Sequence, residues 1–165
     1  MTTKTASKKD GKILRYLHPR SLEPVGKCLM NHLMVPDVYL DVPWGGGKVE
    51  VLAVDRAGTG DIHIAEIKIG KAELRATLEH LRKVPAHYRW IAYFPDNPRE
   101  MNPLAFPRKL FEPVPARIGL IQLFLKAYDE IGAQVLVRAE RSMEIIGHRQ
   151  IVDFKRDNRP TFRVE

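Results

Sequence analysis

The sequence contains a single cysteine, Cys28, among 165 residues. One cysteine cannot form a disulfide within the chain, so we expect the fold to be stabilised by packing rather than by cross-links. Cys28 lies between Val25 and Leu29 in a pattern with helical spacing, which favours a buried, unreactive thiol over a catalytic nucleophile. Any chemistry is therefore expected from other ionisable residues.

Long apolar runs are also missing. No run reaches the ~18 residues that a membrane-spanning helix needs. The segment MTTKTASKKDGK is polar and basic, and no hydrophobic stretch follows it that resembles a signal peptide. We therefore expect a cytoplasmic protein that does not bind a membrane. A hydrophobic content of 44% in 165 residues is sufficient for the core of one domain.

Acidic residues are fewer than basic ones, 20 against 27, which gives a formal net charge of +7. An excess of this sign favours polyanionic partners such as nucleic acid. Part of it lies in residues 1–20, where six basic residues are set against Asp10 alone. We predict a disordered basic arm over residues 1–20 and one folded domain over residues 21–165.

Apolar periodicity predicts an alternation of helices and strands. Helices are expected at 22–34, with Ser21 as the N-cap and Pro36 as the stop, and at 71–83. Strands are expected at 38–42, 48–54, 61–69, 87–94, 118–124 and 134–139. Residues 143–154 are expected to form a last hairpin around Gly147. Both helices and strands are therefore expected in the domain.

The strands at 48–54 and 61–69 are joined by turn-like residues and read as a β-hairpin. Glu66 and Lys68 are two residues apart in one strand, so their side chains share a face. A symmetric hairpin pairs Asp55 with Asp61, and the same register puts Glu50 directly opposite Glu66. Facing carboxylates are unfavourable unless a cation lies between them, and Mg²⁺ or Mn²⁺ accepts such ligands. The alternative is a solvated Glu66–Lys68 ion pair on an exposed strand.

The segment KVEVLAVDRAGTGDIHIAEIKIG, residues 48–70, resembles the PD-(D/E)xK, or restriction-endonuclease-like, superfamily. With its neighbouring elements the resemblance covers roughly residues 21–94. It implies an α/β fold with an αβββαβ core and a mixed central sheet flanked by helices. It also implies that Glu50 replaces the metal-binding strand aspartate, that Glu66 is the second metal ligand and that Lys68 is the catalytic ammonium. Glu23 stands near the position at which some members carry an additional acid.

The function that the resemblance implies is a Mg²⁺- or Mn²⁺-dependent nuclease that hydrolyses phosphodiester bonds, in DNA rather than RNA. Small nucleases of this type often need a second copy to cut both strands, so a homodimer is expected. Glu50 is one methylene longer than the usual aspartate. This departure favours an alternative, a catalytically inactive nucleic-acid-binding or assembly module on the same fold. A third hypothesis is a structural or adaptor protein without a site.

Basic and aromatic residues around the motif are candidates for nucleic-acid contacts. Lys71, Arg75 and Arg82 share one edge of the predicted helix at 71–83 and could meet phosphates, or could form a solvated helix face. Trp44, next to the glycine run at 45–47, is expected to be exposed and to stack on bases. The sequence therefore predicts a contact surface that begins beside the motif.

The remaining ionisable residues near the motif are expected to be structural. Asp55 and Asp61 flank the turn and are predicted to accept turn hydrogen bonds rather than to bind metal. His63 lies on the strand face opposite Glu66 and is predicted to be a packed or surface histidine rather than a general base. Three further histidines have no metal-ligand spacing, which argues against a structural zinc site: His80, His87 and His148.

Overall fold

The structure, a computed structural model, describes residues 8–33, 36–55, 60–70, 72, 74–102, 106 and 117–163. The helices are α1 (Lys8–Leu33), α2 (Leu74–Lys83) and α3 (His148–Asp157). The strands are β1 (Pro36–Trp44), β2 (Gly47–Asp55), β3 (Ile62–Ile69), β4 (Tyr88–Phe94), β5 (Gly119–Leu125), β6 (Ile131–Val137) and β7 (Phe162–Arg163). A short 3₁₀ turn, Ala127–Asp129, follows β5.

The strands form one mixed sheet in the order β6-β5-β4-β3-β2-β1-β7. β3, β4 and β5 are parallel to one another, and the other neighbouring strands pair antiparallel. The predicted α/β class, with a mixed sheet flanked by helices, is confirmed. The chain order α1-β1-β2-β3-α2-β4 also follows the predicted αβββαβ succession.

Helices cover both faces of the sheet. α1 buries Leu17, Val25 and Leu29 against one face, in a cluster that includes Ala65 of β3 and Trp90 of β4. α2 and α3 cover the other face, in a cluster with the alternate residues of the same strands. Burial on both faces explains why β4 and β5 are almost continuously apolar. None of the helices in the described ranges is long and apolar enough to cross a membrane.

The glycine run after β1 forms a tight hairpin turn. Gly45 and Gly46 have φ values of 64° and 83°, and Trp44 pairs with Gly47 across the turn. Positive φ at both central residues matches a two-residue turn of the type that joins twisted strands, and glycine adopts it without strain. The predicted break at the glycine run is confirmed, and the chain continues from this turn directly into β2.

The predicted start of the first helix is wrong. α1 begins at Lys8 and includes Pro19 and Pro24, so residues 8–20 are helical rather than a disordered arm. Ser21 is not an N-cap, because its Oγ lies inside α1 and donates to the carbonyl of Leu17 at 2.5 Å. Packing of Leu17 on the sheet extends the helix past the residues that suggested a boundary. Residues 1–7 lie outside the described part.

The end of the chain also differs from the prediction. Residues 143–154 do not form a hairpin, because His148–Asp157 is helix α3 and Gly147 precedes its first turn. Ile151 and Phe154, three residues apart, are buried on one side of α3. The Phe154 ring meets the Tyr39 ring edge-on, with centroids 4.8 Å apart. The three-residue spacing of Ile151 and Phe154 therefore marks the buried face of a helix.

Candidate active site at the open end of the hairpin

The β2–β3 hairpin has the predicted register. The Asp55 amide donates to the Asp61 carbonyl at 3.1 Å, and regular pairing runs from there to Val51 and Ala65. Beyond that pair, β2 continues against β1 and β3 continues against β4. The next register position belongs to Glu50 and Glu66. These two residues therefore lie where the strands separate, at the open end of the hairpin.

Two donors besides Glu66 hold the Glu50 carboxylate. Oε2 accepts a hydrogen bond from the Ile67 amide at 2.5 Å, which replaces the interstrand bond that the separating strands no longer make. Oε1 lies 2.6 Å from His18 Nε2 of α1. The hydrogen bond to Glu50 raises the pKa of His18. Glu50 is thus fixed between the strands by one backbone and one side-chain donor.

The Glu66 carboxyl group lies against Glu50. Burial raises the pKa of Glu66 to about 8, and the charge of Glu50 and a hydrogen bond to its carboxylate act in the same direction. His18 acts in the opposite direction but does not cancel them. The pair of carboxyl groups therefore retains one proton near neutral pH, which lies in the hydrogen bond between them. A bound cation could take the place of this proton.

The two carboxyl groups open into a cleft of about 530 Å³. Lys68 lines the same cleft as Glu66, as expected for residues two apart on one strand. α1 contributes His18 to the wall of the cleft. α2 contributes Ala76, Thr77 and His80. Carboxylates, an ammonium and two imidazoles thus meet where β2 and β3 part.

The donor set determines which cation the cleft could hold. In the part of the chain that the structure describes, no group of three or more His, Cys, Asp and Glu side chains could hold a metal ion. A structural zinc site would need such a group. Mg²⁺ needs one or two carboxylates, with waters and substrate phosphate oxygens as further ligands. Glu50 and Glu66 fit that mode.

Glu23 does not belong to this cleft. Its carboxylate forms an ion pair with Lys27 Nζ at 2.8 Å and lines a separate groove. Glu23 follows His18 by five residues, which turns it about 140° around the helix axis. The predicted additional acid is therefore wrong, and His18 is the α1 residue that reaches the site.

Trp44 is not an exposed stacking platform. It is 5% exposed, and its Nε1 donates to the Pro85 carbonyl at 2.7 Å. Its ring packs edge-on against Phe154 of α3, with centroids 5.4 Å apart. As the last residue of β1, Trp44 points into the core beneath α3, so the prediction of a base contact is wrong.

The basic residues of α2 do not line the cleft. Arg75 and Arg82 are exposed, but each lies roughly 140–160° around the helix from His80, which does line it. The helix therefore directs them away from Glu66. Lys71, the third predicted phosphate contact, lies outside the described residues.

His63 has the structural role that its position in β3 predicts. Its ring stacks on Tyr88 with centroids 4.3 Å apart, and its Nδ1 accepts a hydrogen bond from Trp90 Nε1 at 3.2 Å. Burial lowers the pKa of His63 to about 4, so it is neutral at physiological pH. Burial likewise raises the pKa of the Cys28 thiol to about 11, consistent with an unreactive cysteine.

The sequence did not identify His18 or His80 as cleft residues. One signal could have revealed His18. Leu17, Ser21, Val25 and Leu29 recur every four residues and are all buried, so the helical stripe continues back past the supposed N-cap. His80 had no such signal, because its place in the cleft depends on how α2 packs against the sheet.

No protein-family model matches the chain, and no curated protein matches it significantly. A solved structure of a protein of unknown function from Silicibacter pomeroyi is similar, with a TM-score of 0.56. The two sequences are 20% identical, and the similarity covers 84% of this chain and 81% of that chain. Likeness at this identity extends to the fold alone.

Proposed function

We propose that this protein is a Mg²⁺- or Mn²⁺-dependent nuclease that hydrolyses phosphodiester bonds, with DNA as the favoured substrate. The observation that carries the proposal is the meeting of Glu50, Glu66 and Lys68 in one cleft at the open end of the β2–β3 hairpin. The α1-β1-β2-β3-α2-β4 order supports a relationship to the PD-(D/E)xK nucleases. Cytoplasmic location and action as a homodimer belong to the same proposal.

The chain's own residues would divide the work of hydrolysis. Glu50 and Glu66 would hold the cation, which supplies polarisation of the phosphate and a lowered pKa of bound water. Lys68 projects into the same cleft, where its ammonium can donate to a phosphate oxygen and stabilise the negative charge that develops during attack. His18 and the Ile67 amide orient Glu50. The formal charge of +7 favours approach of a polyanion.

A second candidate is a catalytically inactive nucleic-acid-binding or assembly module. It is favoured by one observation: His18 and the Ile67 amide already bind both oxygens of Glu50. Each carboxylate oxygen can accept more than one contact, so this arrangement does not block a cation. An inactive module predicts salt-dependent DNA binding without heat on titration with Mn²⁺.

Substitution of Lys68 tests the proposal. Purified wild type should nick supercoiled plasmid DNA in Mg²⁺ or Mn²⁺, and Lys68→Ala should lower the rate by about 100-fold or more, the usual effect of losing an electrostatic contact in the transition state. Glu66→Ala should abolish both cleavage and Mn²⁺ binding measured by calorimetry.

Lys83→Ala is the matched control. Lys83 is exposed at the end of α2 and does not line the cleft, so this variant should cleave like wild type. Equal cleavage by Lys68→Ala and Lys83→Ala would refute the mechanism. DNA binding by a wild type that neither cleaves nor binds Mn²⁺ would favour the second candidate.

A further inference from the structure

The turn between β5 and β6 presents an exposed aromatic ring. The Lys126 amide donates to the Glu130 carbonyl at 2.7 Å and closes the turn. Tyr128 at its tip is 98% exposed, whereas Tyr39 and Tyr93 are fully buried in the core. The packing of the fold therefore does not account for an aromatic residue at this position.

The backbone of this turn is also unfavourable for the residues it contains. Tyr128 has φ 61° and ψ 25°, and Asp129 has φ 55°. Two successive residues thus adopt the left-handed region, which aspartate tolerates but in which a tyrosine is strained. An exposed ring offers no packing that offsets the strain. Hairpin turns of this type usually carry glycine or asparagine, and a strained residue without compensating packing is a feature that recurs at binding and catalytic sites.

Two arginines hold the strained turn in place. Arg99 Nη2 lies 2.6 Å from Asp129 Oδ1, and Arg20 Nη2 of α1 donates to the Asp129 carbonyl at 2.8 Å. One arginine comes from the segment after β4 and the other from α1. The turn is therefore tied to two separate parts of the fold through Asp129, the residue next to Tyr128.

The turn lies at the same edge of the sheet as the cleft. β3, β4 and β5 are parallel, and Lys68, Tyr93 and Gln122 are neighbours in register across them. β5 therefore ends about 10 Å along the edge from β3, two strand spacings away. α1 connects the two places, since His18 contacts Glu50 and Arg20 contacts the turn.

A groove of about 470 Å³ runs between α1 and this turn. Its charged lining consists of three basic and two acidic side chains: Arg20, Lys27, Lys126, Glu23 and Glu130. Glu23 is engaged with Lys27 in an ion pair. The remaining charges leave the groove with an excess of one positive charge. A weakly basic groove beside an exposed ring is suited to a chain of phosphates that carries stackable bases.

We propose that Tyr128 stacks on an unpaired base of a single-stranded nucleic acid that runs along the groove toward the cleft. The inference rests on the proposed function in taking nucleic acid as the ligand, and it adds that the bound segment is single-stranded. Bases within a duplex are already stacked on their neighbours, so an aromatic ring at a turn tip can engage a base only where the strand is unpaired.

The test compares variants of Tyr128 by fluorescence anisotropy with a labelled oligothymidylate, in EDTA so that no cleavage occurs. Tyr128→Ala should weaken binding about tenfold, the usual effect of losing one stacked base, and Tyr128→Phe should retain it. Tyr128→Gly separates binding from folding. It removes the backbone strain and should raise the melting temperature, yet it should weaken binding as much as the alanine variant.

Met143→Ala is the matched control, because Met143 is 91% exposed elsewhere on the surface and should not affect binding. A blunt duplex should bind wild type and Tyr128→Ala equally. Equal binding of the oligothymidylate by these two proteins, or an equal loss on duplex and single strand, would overturn the inference and leave the proposed nuclease standing. Failure of wild type to bind either probe would overturn both.

Discussion

The two ends of the β2–β3 hairpin each carry a pair of facing acids, and the groups that contact the two pairs differ. At the closed end, Arg141 donates to both carboxylate oxygens of Asp61, at 3.1 and 3.3 Å, and His87 Nδ1 lies 3.7 Å from one of them. At the open end, the Glu66 carboxyl lies against Glu50, and its pKa is raised to about 8.

Burial alone does not explain this difference. Asp61 is 9% exposed, whereas Glu66 is only partly buried. The more buried acid is the one that receives a guanidinium from the chain itself. At the open end, a proton offsets the conflict between two carboxylates, and a divalent cation could replace it. The acids at the closed end are therefore balanced by an ion pair within the chain, and those at the open end by a retained proton.

The largest expected effect comes from neutralising Glu66. In metal-free buffer at pH 8, Glu66→Gln should raise the free energy of unfolding by about 2 kcal/mol, roughly half of what the full pKa shift implies, because Glu66 is partly exposed and solvent screens its charge. The pKa of this carboxyl is raised from 4.5 to about 8, so the folded state keeps a proton that the unfolded state releases. Wild type therefore loses stability as pH rises from 4.5 through 8. Glutamine has no proton to lose, and its stability curve should lack this fall.

Urea denaturation across pH 4 to 9 measures the difference. Glu79→Gln is the control, because Glu79 is exposed on α2 and its substitution should change stability little at any pH. A Glu66→Gln protein that is less stable than wild type at pH 8 would contradict the inferred repulsion between the Glu50 and Glu66 carboxylates.

Neutralising the closed end should have the opposite sign. Asp61→Asn should lower the free energy of unfolding by about 1–2 kcal/mol at pH 7, because the charge-assisted hydrogen bonds to Arg141 are lost from a buried carboxylate. Asp157→Asn removes an exposed ion pair with Arg156 and should have almost no effect. If Asp61→Asn were neutral, the distinction between the two ends would fail.

The parts of the site that could be predicted from sequence are those that local geometry determines. Alternation of side chains puts Glu66 and Lys68 on one face. The length of the turn sets the register, so Glu50 could be assigned to the position opposite Glu66 before the fold was known. Both statements involve one hairpin and need no knowledge of which helices pack against it.

The parts that could not be predicted depend on packing between distant elements. Trp44 follows the same alternation, but α3 covers its face, and that helix was itself mistaken for a hairpin. Arg75 and Arg82 follow the motif in sequence, yet the rotation of α2 turns them away from the cleft. His18 was assigned to a disordered arm, although it supplies the side-chain donor to Glu50.

Substitution of His18 gives the smallest expected effect. It tests most directly whether the contacts at the open end position Glu50 for metal binding. His18→Ala should weaken Mn²⁺ binding about tenfold, because loss of a residue that orients a metal ligand usually costs that much or more. His18→Gln should recover most of the affinity, since the glutamine amide can place an N–H donor near the position of Nε2. Isothermal titration calorimetry at pH 7 measures both.

His80→Ala is the control from the same cleft, and it should bind Mn²⁺ like wild type, because the contacts that hold Glu50 come from His18 and the Ile67 amide. A purely structural role for His18 would lower thermal stability in both His18 variants and leave their Mn²⁺ affinities equal. A positioning role predicts the reverse, since the His18 side chain is 44% exposed and adds little to the core. The contact can matter for metal binding because it fixes one oxygen of Glu50 while the Ile67 amide fixes the other.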